Sequence, residues 1–190
     1  MTAALHALPS DRLPAVSRFA KSLRHVSWFA AVGQALSADE RREAHDYLAA
    51  IGFPEARIEA VGDWRAAESA TRDARWSRAW WDAEEHERAR LLRGAGKQQG
   101  EHALLTALSR VTLEASNVVL GAASIATSRN GVADPALARV AAGAATQAAY
   151  QAGLALAAEA GDAHPFAIKF RLFAAGRWPL GLIDHTFHVF

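Results

Sequence analysis

A chain of 190 residues, 51% hydrophobic and 22% charged, has the composition of a folding, soluble protein, and its length favours one core over two. Its 21 basic and 20 acidic residues leave a net charge of +1, too weak a field to argue for nucleic acid or anionic lipid as a partner. The absence of cysteine removes disulfides, thiolate nucleophiles and Cys-ligated zinc, and fits a cytoplasmic setting.

Met1 to Asp11 lacks a basic cluster followed by an apolar run, so no signal peptide is expected there. From Arg12 to Leu36 apolar residues recur at helical spacing (Val16, Phe19, Leu23, Val26, Phe29, Val32), with a break near His25. Ser37, followed three residues later by Glu40, has the form of a capping box and predicts a helix to Ile51 that stops at Gly52. Pro54 suits the first turn of a short helix. Two further helices are predicted over about Asp63 to Ala70 and Asp73 to Leu92, and Arg93 to Gly100 reads as a loop.

The second half differs in character. Residues 1–100 hold 29 charged side chains and residues 101–190 only 12, so core-forming helices are expected there. One runs over about 99–128, with an apolar stripe of Leu104, Leu108, Val111, Ala115, Val118, Ala122 and Ile125. Asp134-Pro135 starts another, to about Glu159, with Gly161 as its terminator. Alanine covers much of its circumference, and Ala141, Ala145, Ala149 and Gly153 form a row of small residues, which predicts a central, closely gripped helix. The segment 140–158 is uncharged but carries Thr146, Gln147, Tyr150 and Gln151, and 104–126 carries Arg110, Glu114 and Asn117. No membrane span is therefore expected. Pro165 and Gly176 bound a last helix, and strand formers around Asp184-His185 predict a hairpin at the C-terminus. The expectation is an all-α single domain over 1–190: a helical bundle around the two long Ala-rich helices, with a small C-terminal β-hairpin.

Four groups of residues invite a functional reading. Asp82 and His86 leave one helical face, with Glu85 beside them, and such a set can ligate a divalent metal (iron, manganese or zinc) if Glu114 or His45 joins from another helix. The plain alternative is a solvated face in which Glu84 and Arg88 form an i,i+4 pair. Arg110, Glu114 and Asn117 lie on one polar stripe with Thr106 and Gly121, and Tyr150, Gln147 and Arg139 on the next helix. If the stripes face each other they make a ligand pocket; otherwise they face water or a second subunit. Trp64, Trp76, Trp80 and Trp81 either fill space between alanine-rich helices or, with Arg75 and Arg78, form a binding hot spot; Trp81 is the one expected at the surface, as an interface residue. Arg177 and Trp178 form either part of a C-cap and turn or a recognition edge. No nucleophile elbow, phosphate loop, dinucleotide fingerprint or zinc-protease motif occurs. These observations favour a non-catalytic accessory protein acting through protein–protein contacts, as a homo-oligomer and without a cofactor. A metalloenzyme and a small-molecule pocket between the long helices stand as alternatives.

Overall fold

The computed structural model describes residues 13–132 and 134–190. The signal-peptide reading of Met1 to Asp11 and the expected helix start at Arg12 lie outside them. The elements in order are α1 (Pro14–Ser22), a 3-10 turn (Leu23–His25), α2 (Ala38–Ala50), β1 (Arg57–Ala60), α3 (Trp64–Thr71), α4 (Arg78–Gln99), α5 (Glu101–Arg129), α6 (Pro135–Ala157), α7 (Pro165–Ala174), β2 (Pro179–Ile183) and β3 (Thr186–Val189). The protein is thus a mostly helical bundle with a small sheet.

Local signals place most boundaries. Ser37 and Glu40 form both hydrogen bonds of a capping box, Asp63 and Asp134 cap α3 and α6, and Ser77 caps α4. At the end of α2, Phe53 donates to the Leu48 carbonyl and Gly52 to that of Ala49, with Gly52 at φ 95°. That is a Schellman motif, and α5 and α7 end the same way at Gly131 and Gly176. α6 uses the same device two residues before the expected glycine: Glu159, at φ 53°, takes the left-handed position.

α6 lies at the centre. Ala141, Ala145, Ala149 and Gly153 are all buried, and α5 packs against it. At Gly153 an added Cβ would lie 3.1 Å from Val111 Cγ2, so the absent side chain sets how closely the helices approach. The buried stripe of α5 is Leu104, Leu108, Val111, Ala115, Val119, Ala123 and Thr127. It departs from the expected stripe after Ala115, where it advances in steps of four along one ridge, and it leaves Ile125 54% exposed.

Two expectations are corrected and a third, the C-terminal hairpin, is borne out and extended. Arg93 to Gly100 is not a loop: α4 continues through Gly94 and Gly96 because Leu91 and Ala95 are buried in the core, and only Gly100, at φ 82°, breaks the chain before α5. The segment after Pro54 is a turn and a strand, not a helix. The C-terminal hairpin is part of a three-stranded sheet, ordered β1-β3-β2, in which β1 runs parallel to β3 and β2 antiparallel. The four-residue β1 carries no period long enough to identify, and its partner lies at the far end of the chain: Arg57 pairs with Thr186.

The sheet packs on α2 and α7 through Tyr47, Leu48, Trp80, Leu172, Leu182 and Phe187. At Gly181 the ladder is irregular, and an added Cβ would lie 2.5 Å from Trp76 Nε1, so the indole lies directly on bare backbone.

Candidate functional site

Three charged networks hold α7 against α2 and α4. In the first, Lys169 Nζ donates to both carboxylate oxygens of Glu84, at 2.6 and 2.9 Å, and the Tyr47 hydroxyl donates to Glu84 Oε1 at 2.6 Å. Glu84 is 2% exposed, Lys169 6% and Tyr47 0%, so burial, then the Glu84 carboxylate, push the Tyr47 hydroxyl well above its ordinary range. The Lys169 ammonium also lies 5.3 Å from the Trp80 ring centroid. Glu84 therefore does not pair with Arg88, which instead holds Glu85. Lys169 carries the signal that exposes this network: a single ammonium in the otherwise apolar run Pro165 to Phe170.

In the second, Arg177 is 4% exposed. It donates to Glu40 at 2.7 Å and to the carbonyls of Ala31, Gln34 and Ala35. Arg171 reaches Glu43 at 2.7 Å. The Arg177 guanidinium holds the Glu40 carboxyl below its usual range. In the third, His164 Nδ1 accepts the Phe166 amide at the start of α7, so that nitrogen carries no proton. Nε2 then donates to Glu87 at 2.7 Å. Arg90 and His164 together hold Glu87 down at about 2. All three networks are satisfied within the chain and tie its elements together.

Sequence-derived candidates fare differently. Asp82, Glu85 and His86 do not converge: Asp82 faces Arg78, Glu85 is taken by Arg88, and His86 is exposed. Among the described residues no three His, Asp or Glu side chains are grouped as a metal site requires. Arg177 and Trp178 are not a recognition edge, because their side chains are buried (Trp178 at 1%), Arg177 as a clamp and Trp178 against Trp64 and Phe190. Trp81 is 39% exposed, in keeping with its position off the Trp76–Trp80 line.

The stripe on α5 does not face the stripe on α6. Arg110 and Asn117 are exposed and Glu114 half-buried, and none of the three lines a pocket with Tyr150. Neither Arg110 nor Glu114 has an ion-pair partner among the described residues. Tyr150 does line an open groove of about 530 Å³ between α5 and α6, with Thr112, Ser116, Gly143, Thr146 and Gln147. α5 exposes Leu113 (61%) and Leu120 (45%), the latter lining the groove, and α6 exposes Val140 (49%); Leu105 (46%) lies in another hollow with Leu92, Arg93 and Lys97 of α4. α5 is the one helix among the described residues long and apolar enough to cross a membrane, with a mean hydropathy of 1.2 over its most apolar window; α6, the better candidate by its lack of charge, is largely buried. The exposed leucines of α5 escape a sequence reading because they share a helix with the core stripe, and only packing separates the two.

A second hollow, between β1, α3 and β3, is lined by Glu59, Asp63, Arg65, Asp73, Arg75 and His188. There Arg75 holds the Asp73 carboxyl down at about 2 and also reaches Asp184. In comparisons with protein-family models, curated proteins and solved structures, nothing matched this chain.

Proposed function

We propose that this protein is a non-catalytic helical-bundle accessory protein whose working surface is the outer face of α5 and α6, used for protein–protein contact. One observation carries the reading: Leu113, Leu120 and Val140 stand exposed on α5 and α6, with Leu120 lining the open groove between the two helices. Single exposed aliphatic residues are ordinary on a protein surface, but several of them around an open apolar-lined groove favour a contact site. The buried ionisable groups support it indirectly, because Glu84, Lys169, Tyr47 and Arg177 are spent on one another and on the backbone.

The test places a photoreactive benzoylphenylalanine at position 113 of the full chain and irradiates cells producing it. The expected result is a discrete adduct, identified by mass and reproduced with purified components, that disappears when Leu120→Glu is added. Absence of any adduct from position 113, with the folded content unchanged by circular dichroism, overturns the reading.

A further inference from the structure

We infer that Asn130 is a modification site of this chain: the Gly131 backbone nitrogen closes on the Asn130 side-chain amide, ammonia leaves, and water opens the resulting ring to aspartate or isoaspartate. The C-cap of α5 sets the rate, because the cap has to open before the ring can close.

The chemistry starts from the residue types. Of the two asparagines in the chain, Asn117 precedes Val118 and Asn130 precedes Gly131. A branched side chain crowds the nitrogen that must attack, whereas glycine has no Cβ and leaves the approach open. Asn117 also lies inside α5, whereas Asn130 is the exposed residue at its end. In the ring closure the Gly131 nitrogen forms a bond to Asn130 Cγ and gives up its proton. The bond from Cγ to Nδ2 breaks, and Nδ2 leaves as ammonia with that proton. Water then adds at one of the two ring carbonyls. Addition at Cγ restores the ordinary main chain with an aspartate. Addition at the main-chain carbonyl carbon gives isoaspartate, with one more methylene in the backbone.

The folded geometry opposes ring closure. A five-membered ring needs the Gly131 nitrogen nearly eclipsed with Asn130 Cβ about the Cα–C bond. At ψ 12° it is instead nearly eclipsed with the nitrogen of Asn130 itself. The Gly131 N–H donates to the Ser128 carbonyl at 3.0 Å, and Asn130 Nδ2 donates to that of Ala126 at 2.8 Å. The Val132 N–H completes the Schellman pair on the Thr127 carbonyl at 3.0 Å, and its half-buried side chain packs against the core. These contacts are local to one helix end, the kind of unit that opens without global unfolding. Reaction therefore proceeds through the opened cap, and the fold slows it without abolishing it.

Conversion changes α5. Aspartate lacks the donor that Nδ2 offers Ala126, and it places a negative charge at the negative end of the helix dipole. Isoaspartate shifts Gly131 and Val132 along the chain, so their amides lose Ser128 and Thr127. Either product loosens the residue that joins the last turn of α5 to the connection toward Asp134, the cap of α6.

The experiment incubates the full chain at mildly alkaline pH, native or unfolded in guanidinium chloride. Conversion at each asparagine is followed by peptide mass mapping, with isoaspartate separated from aspartate by chromatography. The expected result is conversion at Asn130 and not at Asn117, slower by about tenfold or more in the native protein than in the unfolded chain. Val132→Ser, which keeps the amide but removes its apolar anchor, should speed the native reaction about threefold and leave the unfolded rate unchanged. Hydrogen exchange of the Gly131 amide in the parent protein measures the same opening without a variant, and its protection factor should match the ratio of unfolded to native conversion rates. Equal rates in the native and unfolded chains overturn the inference, as does an unfolded chain in which Asn130 stays intact. A protection factor unrelated to the rate ratio, or a folded Val132→Ser variant that converts no faster than the parent, overturns the gating by the cap.

Discussion

Lys169 on α7 and Glu84 on α4 form a bidentate ion pair in the interior, 2.6 and 2.9 Å between charged atoms, at the one point where α2 also enters through the Tyr47 hydroxyl. Both ions have left water, so the attraction between them is offset by the cost of desolvating each. What the pair controls most strongly is the penalty for losing one member.

Lys169→Met should therefore destabilise the protein by about 3–5 kcal/mol, because it leaves the Glu84 carboxylate buried with only a neutral hydroxyl. Replacing both, as in Glu84→Leu with Lys169→Met, should cost less than Lys169→Met alone. Urea denaturation of the two single variants and the double variant gives the coupling directly, and additive losses would refute this account.

Arg177 presents a different problem. Its guanidinium serves a carboxylate and three carbonyls at once, and a lysine ammonium has neither the planar fork nor enough donors. Arg177→Lys should lower stability by about 2 kcal/mol, with the loss local to the segment before α2. Hydrogen exchange should quicken at Gln34 to Glu40 before it changes in α5 or α6; uniform quickening would contradict the clamp.

Gln151 is fully buried in α6, and among the described residues neither its amide nitrogen nor its oxygen has a hydrogen-bond partner. Exchanging it for a hydrocarbon of similar size removes that deficit. Gln151→Leu should raise the stability by about 1 kcal/mol, read as a higher thermal midpoint. A lower midpoint would show that the amide is satisfied.

Glu87 links pH to stability. Its carboxyl is lowered from 4.5 to about 2 in the folded protein, first by the hydrogen bond from Arg90 and then by that from His164. A carboxyl with a depressed folded value contributes stability that is complete above its unfolded value and disappears as pH falls through the folded one. The loss should therefore fall between about pH 4.5 and pH 2. Glu87→Gln should flatten the thermal midpoint against pH in that window and leave its slope near neutrality unchanged. Equal slopes in both proteins would remove Glu87 from the account.

Helix ends were the most legible part of the fold in the sequence, because they are decided by contacts within a few residues. Ser37 with Glu40, Asp134 with Pro135, and Gly176 each act locally, and each does in the structure what its type predicts. Glu159 shows the limit: the expected stop at Gly161 came earlier, because Glu159 itself takes the left-handed position, at φ 53°, that a glycine would be expected to supply. The centrality of α6 was legible because alanine on most faces has few other uses. The candidate site was less so. Tyr150 was placed beside the α5–α6 groove, but Arg110, Glu114 and Asn117 face away from it, since helical periodicity gives a face and not its neighbour. Glu84 was misplaced for a related reason: i,i+4 spacing offers Arg88, whereas burial selects Lys169, 85 residues away.

The parallel pairing of β1 with β3 makes the sheet a latecomer in folding. Arg57 finds Thr186 only after the whole α3–α7 segment lies between them in compact form, because closing so long a loop as a free chain costs entropy that four residues of ladder do not repay. The α5–α6 hairpin, with contacts that are near in sequence, can assemble first and serve as the template. Substitutions in β3, such as Phe187→Leu, should therefore speed unfolding and leave the folding rate almost unchanged, while Leu108→Ala should slow folding. The order of assembly then runs from the middle of the chain outward, and the sheet acts as a latch on a bundle already built.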